Sequence, residues 1–351
     1  MPTRTNAKST VAVTIVTYNS SRYIQACLDA LFRQAGVTFH VVVVDNGSTD
    51  GTREILTKYE TRLQAIWNGR NLGFAAAQNQ AIAASSSDWV LALNPDVFLT
   101  PGFLRKIVSA GDMHPGIGSV SGLLLSIEPD LAIPADPKID SAGIYFTPAM
   151  RHFDRGWHQS AEGRFTGMEY VFGASGAAAL YRRSMVEDIS DDGGFFDPDF
   201  FAYREDADVA WRAQLLGWSC LYTPEAVGYH VRSVVAGNRR MVPAIINMHS
   251  VKNRFLMRVK NATAGVYWRC LAPATLRDLL VLGGCLISEP ESLPAFWHVA
   301  KCLPRAFRHR RAIMARRRAG DSELVRWFSV IPASEPLSGE AIPAKCHEMP
   351  A

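Results

Sequence analysis

Several things are missing from this 351-residue chain, and each absence narrows what it can be. Its six cysteines (Cys27, Cys220, Cys270, Cys285, Cys302 and Cys346) are scattered, and no two form a C-x-x-C pair. That argues against the common zinc spacings and a disulfide framework, and it fits a reducing compartment. No glycine follows the first β-branched run, Val11–Thr17. The next residues are YNSSRY, so neither G-x-G-x-x-G nor a Walker loop stands there. This argues against a standard NAD enzyme and a P-loop enzyme, and also against nucleotidyl transfer, which would want a glycine-rich basic loop at that point. The opening MPTRTNAKST has no apolar h-region, and no run reaches about 18 apolar residues, the best being Leu279–Ile287. Neither a secretory leader nor a spanning helix is expected, and a cytoplasmic location is. The net charge of +4 is too mild to argue for a nucleic-acid partner. No internal repeats are visible. With 48% hydrophobic and 20% charged residues, the composition is that of an ordinary soluble protein. The length suits one large α/β domain plus an appendage, or two domains.

What is present is a succession of short apolar runs that stop at polar residues. Val11–Thr17 reads as an interior strand. Ser20 or Ser21 can cap a following helix whose apolar residues, Tyr23, Cys27 and Leu31, recur at helical spacing. Phe39–Val44 is a second strand, ending in DNGSTDGT from Asp45. A carboxylate at that point can accept hydrogen bonds from a base N–H or a ribose hydroxyl, or simply open an Asn-Gly turn. A further strand covers Leu63–Trp67. NLGFAAAQNQAIAAS, from Asn71, gives a slim alanine helix, and Gly73 permits close approach of backbone to ligand. The run DWVLALNPD, Asp88–Asp96, reads as a strand buried on both faces and stopped by Pro95. It leaves Asp96 just past the carboxyl end of a central strand, the edge at which open α/β sheets bind ligands. There Asp96 either helps to hold a divalent metal or begins a turn.

Ile117–Leu125 is another strand, Glu128–Asp140 a surface loop rich in Pro and Asp, and Ser141–Arg155 a hairpin. VFGASGAAALY, from Val171, packs small residues around a turn, which either leaves room for a ligand or allows close sheet packing. From Tyr203, DFFAYREDADVAWRAQLLG fits an amphipathic helix ended by Gly217. Asp208 and Arg212 are four apart and pair on one flank. Asp206 lies on the face of Val209, Ala210 and Ala213, where a carboxylate is either a general base with a raised pKa or half of a buried ion pair. Glu205 points elsewhere and orients the acceptor or a neighbouring group. Trp218–Tyr222 and Ala226–His230 are short strands, and His230 is either structural or a second metal ligand beside Asp96. Met241–Lys260, Thr263–Ser288 and Ser292–Arg318 are helical. The last carries Lys301, Arg305, Arg308, Arg310, Arg311, Arg316, Arg317 and Arg318, and is either a solvated face or a contact with an anionic membrane. The tail after Pro332 is expected to be disordered.

Taken together, VTYNS at Val16, VVVDNGSTDGT at Val42, NLGFAAAQN at Asn71, LNPD at Leu93 and FFAYREDADVAWR at Phe200, with GASGAA at Gly173 and YHVRS at Tyr229, resemble the family-two inverting glycosyltransferases. The resemblance covers about the first 235 residues. It implies a GT-A fold, an α/β Rossmann-like mixed sheet flanked by helices. The chain would then divide into a catalytic domain at 1–235, a helical extension at 236–330 and a tail at 331–351. On this reading Asp45 binds the nucleobase or ribose, with Thr17 and Asn19 lining the same pocket. Asn71, Gly73, Asn79, Asn94, Gly176 and Arg212 also fall on the substrate side. Asp96 and His230 hold Mg²⁺ or Mn²⁺ with the diphosphate, and Asp206 is the general base, assisted by Glu205. Asn94 stands where the family most often has an acid, a version that resembles the bacterial rhamnosyltransferase-like branch. The implied reaction moves a sugar, rhamnose on this likeness, from a nucleotide-diphosphate donor to a saccharide or lipid-linked acceptor in cell-surface polysaccharide synthesis. The implied location is the cytoplasm or the inner face of the plasma membrane. The alternative is a catalytically inactive sugar-nucleotide-binding scaffold of the same fold.

Overall fold

The structure is a computed structural model that describes residues 9–232, 244–330 and 335–336. The first eight residues of the opening decapeptide, the proposed 235/236 boundary and all of the tail after Pro332 except 335–336 lie outside the described residues.

Four parallel strands open the chain: β1 (Thr10–Thr17), β2 (Thr38–Asp45), β3 (Gln64–Trp67) and β4 (Trp89–Leu93), in spatial order β4-β1-β2-β3. Helices α1 (Ile24–Phe32), α2 (Thr52–Thr57) and α3 (Phe74–Ala83) connect them. The period of two along β1 decides which helix goes where. Val11, Val13 and Ile15 pack towards α1, whereas Val16 meets Val42, Val44 and the alanines Ala77 and Ala81 of α3 on the other face. All five residues of β4 are buried, as its unbroken apolar run requires.

Past β4 the sheet becomes mixed. β5 (Val97–Leu99) is a short edge piece, followed by α4 (Phe103–Gly111), β6 (Ile117–Ser126) and β7 (Ile139–Ser141). β8 (Ile144–Phe146) and β9 (His152–Asp154) form the expected hairpin as a separate two-stranded sheet. Next come β10 (Glu169–Val171), β11 (Ala178–Arg182), α5 (Arg183–Ile189), α6 (Glu205–Leu215) and β12 (Ser219–His230). Strand β11 is antiparallel to both β4 and β6, and β12 runs parallel to β6. The two short strands expected at Trp218–Tyr222 and Ala226–His230 are one strand, β12. Its register shifts between Tyr222 and Val227, around Pro224, which cannot donate to the ladder.

Three long helices follow: α7 (Ala244–Asn261), α8 (Ala264–Ile287) and α9 (Pro294–Ala315), then α10 (Asp321–Val325). A last short strand, β13 (Glu335–Pro336), pairs with β10. The helical part shares a core with the sheet. Phe146, Phe172, Phe200 and Trp211 pack with Leu256, Met257, Val266, Cys270, Ile313 and Phe328. By length and composition α8 is apolar enough to cross a membrane. The apolar run Leu279–Ile287 is its C-terminal part and begins just after Arg277 and Asp278.

Candidate active site

The pairing of β5 with β12 sets His230 opposite Val97, so Asp96 and His230 meet at one sheet edge. The Asp96 carbonyl accepts the Val231 N–H at 3.0 Å, and Nε2 of His230 lies 3.4 Å from Oδ1 of Asp96. The other ring nitrogen, Nδ1, is 2.8 Å from Oδ2 of Asp140. Burial pushes the His230 imidazole down. The bonds and charges of Asp140 and Asp96 outweigh it and raise the group to about 9. Arg232 completes the cluster: Nε is 2.8 Å from Asp140, and Nη2 is 2.5 Å from Asp154. This donor set fits a hard divalent cation once the Nε2 proton of His230 is displaced. A carboxylate and an imidazole converge, and the imidazole is aimed by a carboxylate behind it. Among the described residues no group of three or more His, Cys, Asp or Glu could hold a metal, so other positions would fall to diphosphate oxygens and water. Asn94 sits two residues from Asp96 and is half-buried; its N–H donates to the Ala177 carbonyl at 2.9 Å.

At the carboxyl ends of β1 and β2, Thr17 faces Asp45 in register. Thr17 Oγ1 donates to Asp45 Oδ2 at 3.0 Å, while Oδ1 accepts from the N–H groups of Gly47 and Ser48 and from Arg53 Nε at 2.8 Å. Burial pushes the Asp45 carboxyl up, but these bonds overcome it and hold it below the usual range. Asp45 is therefore buried and builds the turn. Asn19, with φ of 52°, is exposed beside it and accepts the Thr49 N–H. The open groups at this edge are Tyr18 and Trp67, the latter with the Arg53 guanidinium 5.3 Å from its ring centre. Asn71 Oδ1 accepts the Gly73 N–H at 2.8 Å. Gly73 (φ 88°) needs to be glycine, because a Cβ there would lie 2.7 Å from the Phe201 carbonyl oxygen.

That contact joins the donor edge to the start of α6. Phe201, Tyr203 and Arg204 all have positive φ, an unfavourable backbone for side chains of this size. The segment is held by α7: Asn253 Nδ2 donates to the carbonyls of Phe200, Ala202 and Tyr203 at 2.8, 2.9 and 2.7 Å. Immediately after it stand Glu205 and Asp206. Asp206 Oδ2 accepts the Gly176 N–H at 3.0 Å, and Oδ1 accepts the Ala207 N–H at 2.7 Å. A Cβ at Gly176 would lie 3.1 Å from Asp206 Cβ, so the small-residue turn is the seat of this carboxylate. Glu205 Oε2 is buried without a hydrogen-bond partner among the described residues. Burial raises both carboxyls, and the Asp206 charge raises Glu205 further. A half-buried carboxylate held by two main-chain N–H groups is suited to accept a proton.

Two expected site residues lie elsewhere. Arg212 is buried, bonded to Asp208 at 2.8 Å and to the carbonyls of Ile189 and Phe195. Its pairing with Asp208 is as expected but internal, and Lys260 (3.0 Å) and Asn261 (2.8 Å) join the same carboxylate. Asn79 clamps the 193–196 loop through Gly193 and both main-chain groups of Phe196. Conversely, Asp140, Arg232 and Asn253 were not anticipated. Asp140 closes a Pro/Asp-rich stretch with no periodic signal, and Asn253 lies on a helix whose facing partner is set only by folding.

A mixed sheet with acids at its carboxyl edge and an acidic helix start behind it defines a GT-A glycosyltransferase. Solved structures support the fold. Staphylococcus aureus TarS 1–349 in complex with UDP-GlcNAc superposes with a TM-score of 0.53 at 18% identity, covering 90% of each chain. The mannosyltransferase PcManGT from Pyrobaculum calidifontis, in complex with GDP-Man and Mn²⁺, gives 0.51 at 17% identity over 91% of this chain and 86% of its own. The profile of glycosyl transferase family 2 matches residues 12–190, and the chain belongs to that family. It is rhamnosyltransferase-like: the N-acetylglucosaminyl-diphospho-decaprenol L-rhamnosyltransferase of Mycobacterium tuberculosis is 26% identical over 287 residues, 77% of this chain and 90% of the relative.

Proposed function

We propose that this glycosyltransferase works with inversion, moving a sugar from a nucleotide-diphosphate donor to a hydroxyl of a saccharide or lipid-linked acceptor in bacterial cell-surface polysaccharide synthesis. The likeness to a rhamnosyltransferase with a decaprenol-linked substrate favours rhamnose as the sugar and a lipid-linked acceptor. The observation that carries the reading is a continuous line of charged groups. Asp154 pairs with Arg232, Arg232 with Asp140, and Asp140 orients His230 towards Asp96, while Asp206 accepts the N–H of Gly176, whose neighbour Ala177 accepts that of Asn94 two residues before Asp96. On this reading base and metal ligands share one edge.

Asp206 accepts the acceptor hydroxyl proton as that oxygen forms its bond to the anomeric carbon. The bond to the diphosphate oxygen breaks on the opposite side, and its electron pair leaves with the nucleoside diphosphate. Glu205, whose Oε2 has no hydrogen-bond partner among the described residues, orients the acceptor or Asp206. Asp96 and His230 would hold Mg²⁺ or Mn²⁺, which when bound neutralises charge on the leaving diphosphate. Asn94, two residues before Asp96, leaves one fewer negative charge for free metal. Thr17 and Asp45 fix the turn on which a nucleoside rests; Asn19 offers it polar contacts, and Tyr18 and Trp67 offer aromatic faces. Asn71 and Gly73 shape the floor.

The test is a panel of nucleotide-sugars assayed for nucleoside diphosphate release with and without EDTA. One donor is expected to be turned over and chelator to abolish turnover. Undiminished activity in EDTA removes the metal from the reading, and no release from any donor with a lipid-linked acceptor present restores the scaffold alternative.

A further inference from the structure

By its sequence the basic helix is either a solvated face or a membrane contact, and many of its cations are engaged within the molecule. On α9 and just beyond it, Arg305 pairs with Asp199, Arg310 donates to the carbonyls of Val259 and Ala262, Arg316 donates to the Asp188 carbonyl, Arg317 pairs with Asp321 and Arg318 pairs with Asp188. These cations are paired within the molecule, although Arg316 and Arg318 remain exposed. Lys301, Arg308 and Arg311 are exposed as well.

The large apolar surface is on α8. Trp268, Leu276, Leu279, Leu280, Leu286 and Ile287 are between 58% and 85% exposed and follow one another along one side of the helix. The other side is fastened along its length. Gly265 donates to Asp321, Asp278 near the middle pairs with Arg254 and Arg258 of α7, and Cys285 packs with Val251 and Ala295. A helix bound to the body at its start, middle and end cannot thread a bilayer, but it can lie in one. A trough of about 380 Å³ runs between α8 and α9, with Phe255 and Val259 of α7 in its lining and Trp268 and Phe307 from its two walls.

Charge selects the occupant. Pro294–Ala315 contains no Asp or Glu, and the only acid of Ala264–Ile287 is Asp278, which is already paired. An apolar stripe next to Lys301, Arg308, Arg311 and, on α8 itself, Arg269 matches a lipid leaflet with anionic headgroups. Trp268 and Trp297, 69% and 63% exposed, suit the interfacial zone. A second copy of the chain would instead set these cations against like charge.

We propose that α8, with the outer stripe of α9, is a bilayer-docking surface in which α8 lies in the plane of an anionic leaflet. Binding here does not depend on the proposed sugar transfer, so the test reads binding alone. The whole protein is floated with vesicles of phosphatidylcholine, with or without phosphatidylglycerol. Recovery in the top fraction is expected with the anionic vesicles, to be reduced about tenfold or more by L276E/L279E, and to fall with K301E/R308E/R311E and with added salt. Release by alkaline carbonate is expected of an in-plane helix. Thermal melting of both variants should match the parent, since every substituted side chain is exposed. Recovery that L276E/L279E leaves unchanged, resistance to carbonate, or a lipid-free dimer in light scattering that L276E/L279E converts to monomer would each overturn the proposal.

Discussion

Asp140 Oδ2 lies 2.8 Å from Nδ1 of His230, across 90 positions of sequence. The contact leaves Nε2 facing Asp96 and fixes which nitrogen is offered to a cation. Carboxylates in this position commonly alter metal affinity by 10–100-fold. Asp140→Asn is expected to weaken Mn²⁺ binding with nucleoside diphosphate by about that factor, read by calorimetry or by the spin signal of free Mn²⁺. Nucleotide affinity without metal should hold. Unchanged Mn²⁺ affinity would show that Asp140 serves only the fold.

Asp206→Asn keeps the shape and the Gly176 contact at one oxygen but cannot take a proton. Turnover should drop about 10²–10⁴-fold while donor binding stays within a factor of a few. Full turnover in this variant would remove Asp206 from the role of base.

The raised Glu205–Asp206 pair makes a pH prediction. The base must be ionised, so kcat/KM should climb with pH along a limb above the ordinary carboxylate range. Glu205 is raised by burial and by the charge of Asp206, so it is still protonated while Asp206 ionises, and Glu205→Gln should leave the limb in place. Stability runs the other way. A carboxyl raised in the folded state contributes stability that is full below its unfolded pKa and is lost as pH rises through the folded one. Glu205→Gln should therefore match the parent near pH 4 and exceed it in urea midpoint at alkaline pH. A limb that moves, or a urea midpoint that does not, would contradict this order of ionisation.

Lys260 is buried between Asp197 at 2.6 Å and Asp208 at 3.0 Å. Its charge holds the Asp197 carboxyl down at about 2, against burial. Removing one partner of such a cluster strands the other charges, at a cost of about 3–5 kcal/mol. Lys260→Met should lose roughly that much in urea unfolding. A loss below about 1 kcal/mol would mean that the cluster relaxes or takes up water.

Sequence alone determined the alternation that builds the parallel half, since period-two burial and polar stops are local properties. The DWVLALNPD strand, the Asp96 edge and the acidic helix start were all legible there, because each is written in consecutive residues. Family membership followed from the same strings. Tertiary structure decided the rest. It closed Asp45 inside its own turn, drew Arg212 into a buried pair, and joined two expected strands across Pro224. It also supplied Asp140, Arg232 and Asn253, whose partners lie far along the chain and leave no periodic trace. Above all it settled which face of each C-terminal helix is covered. A sequence gives the cations of α9 and the leucines of α8, but only packing shows which of those cations are paired within the molecule while the leucines remain outside.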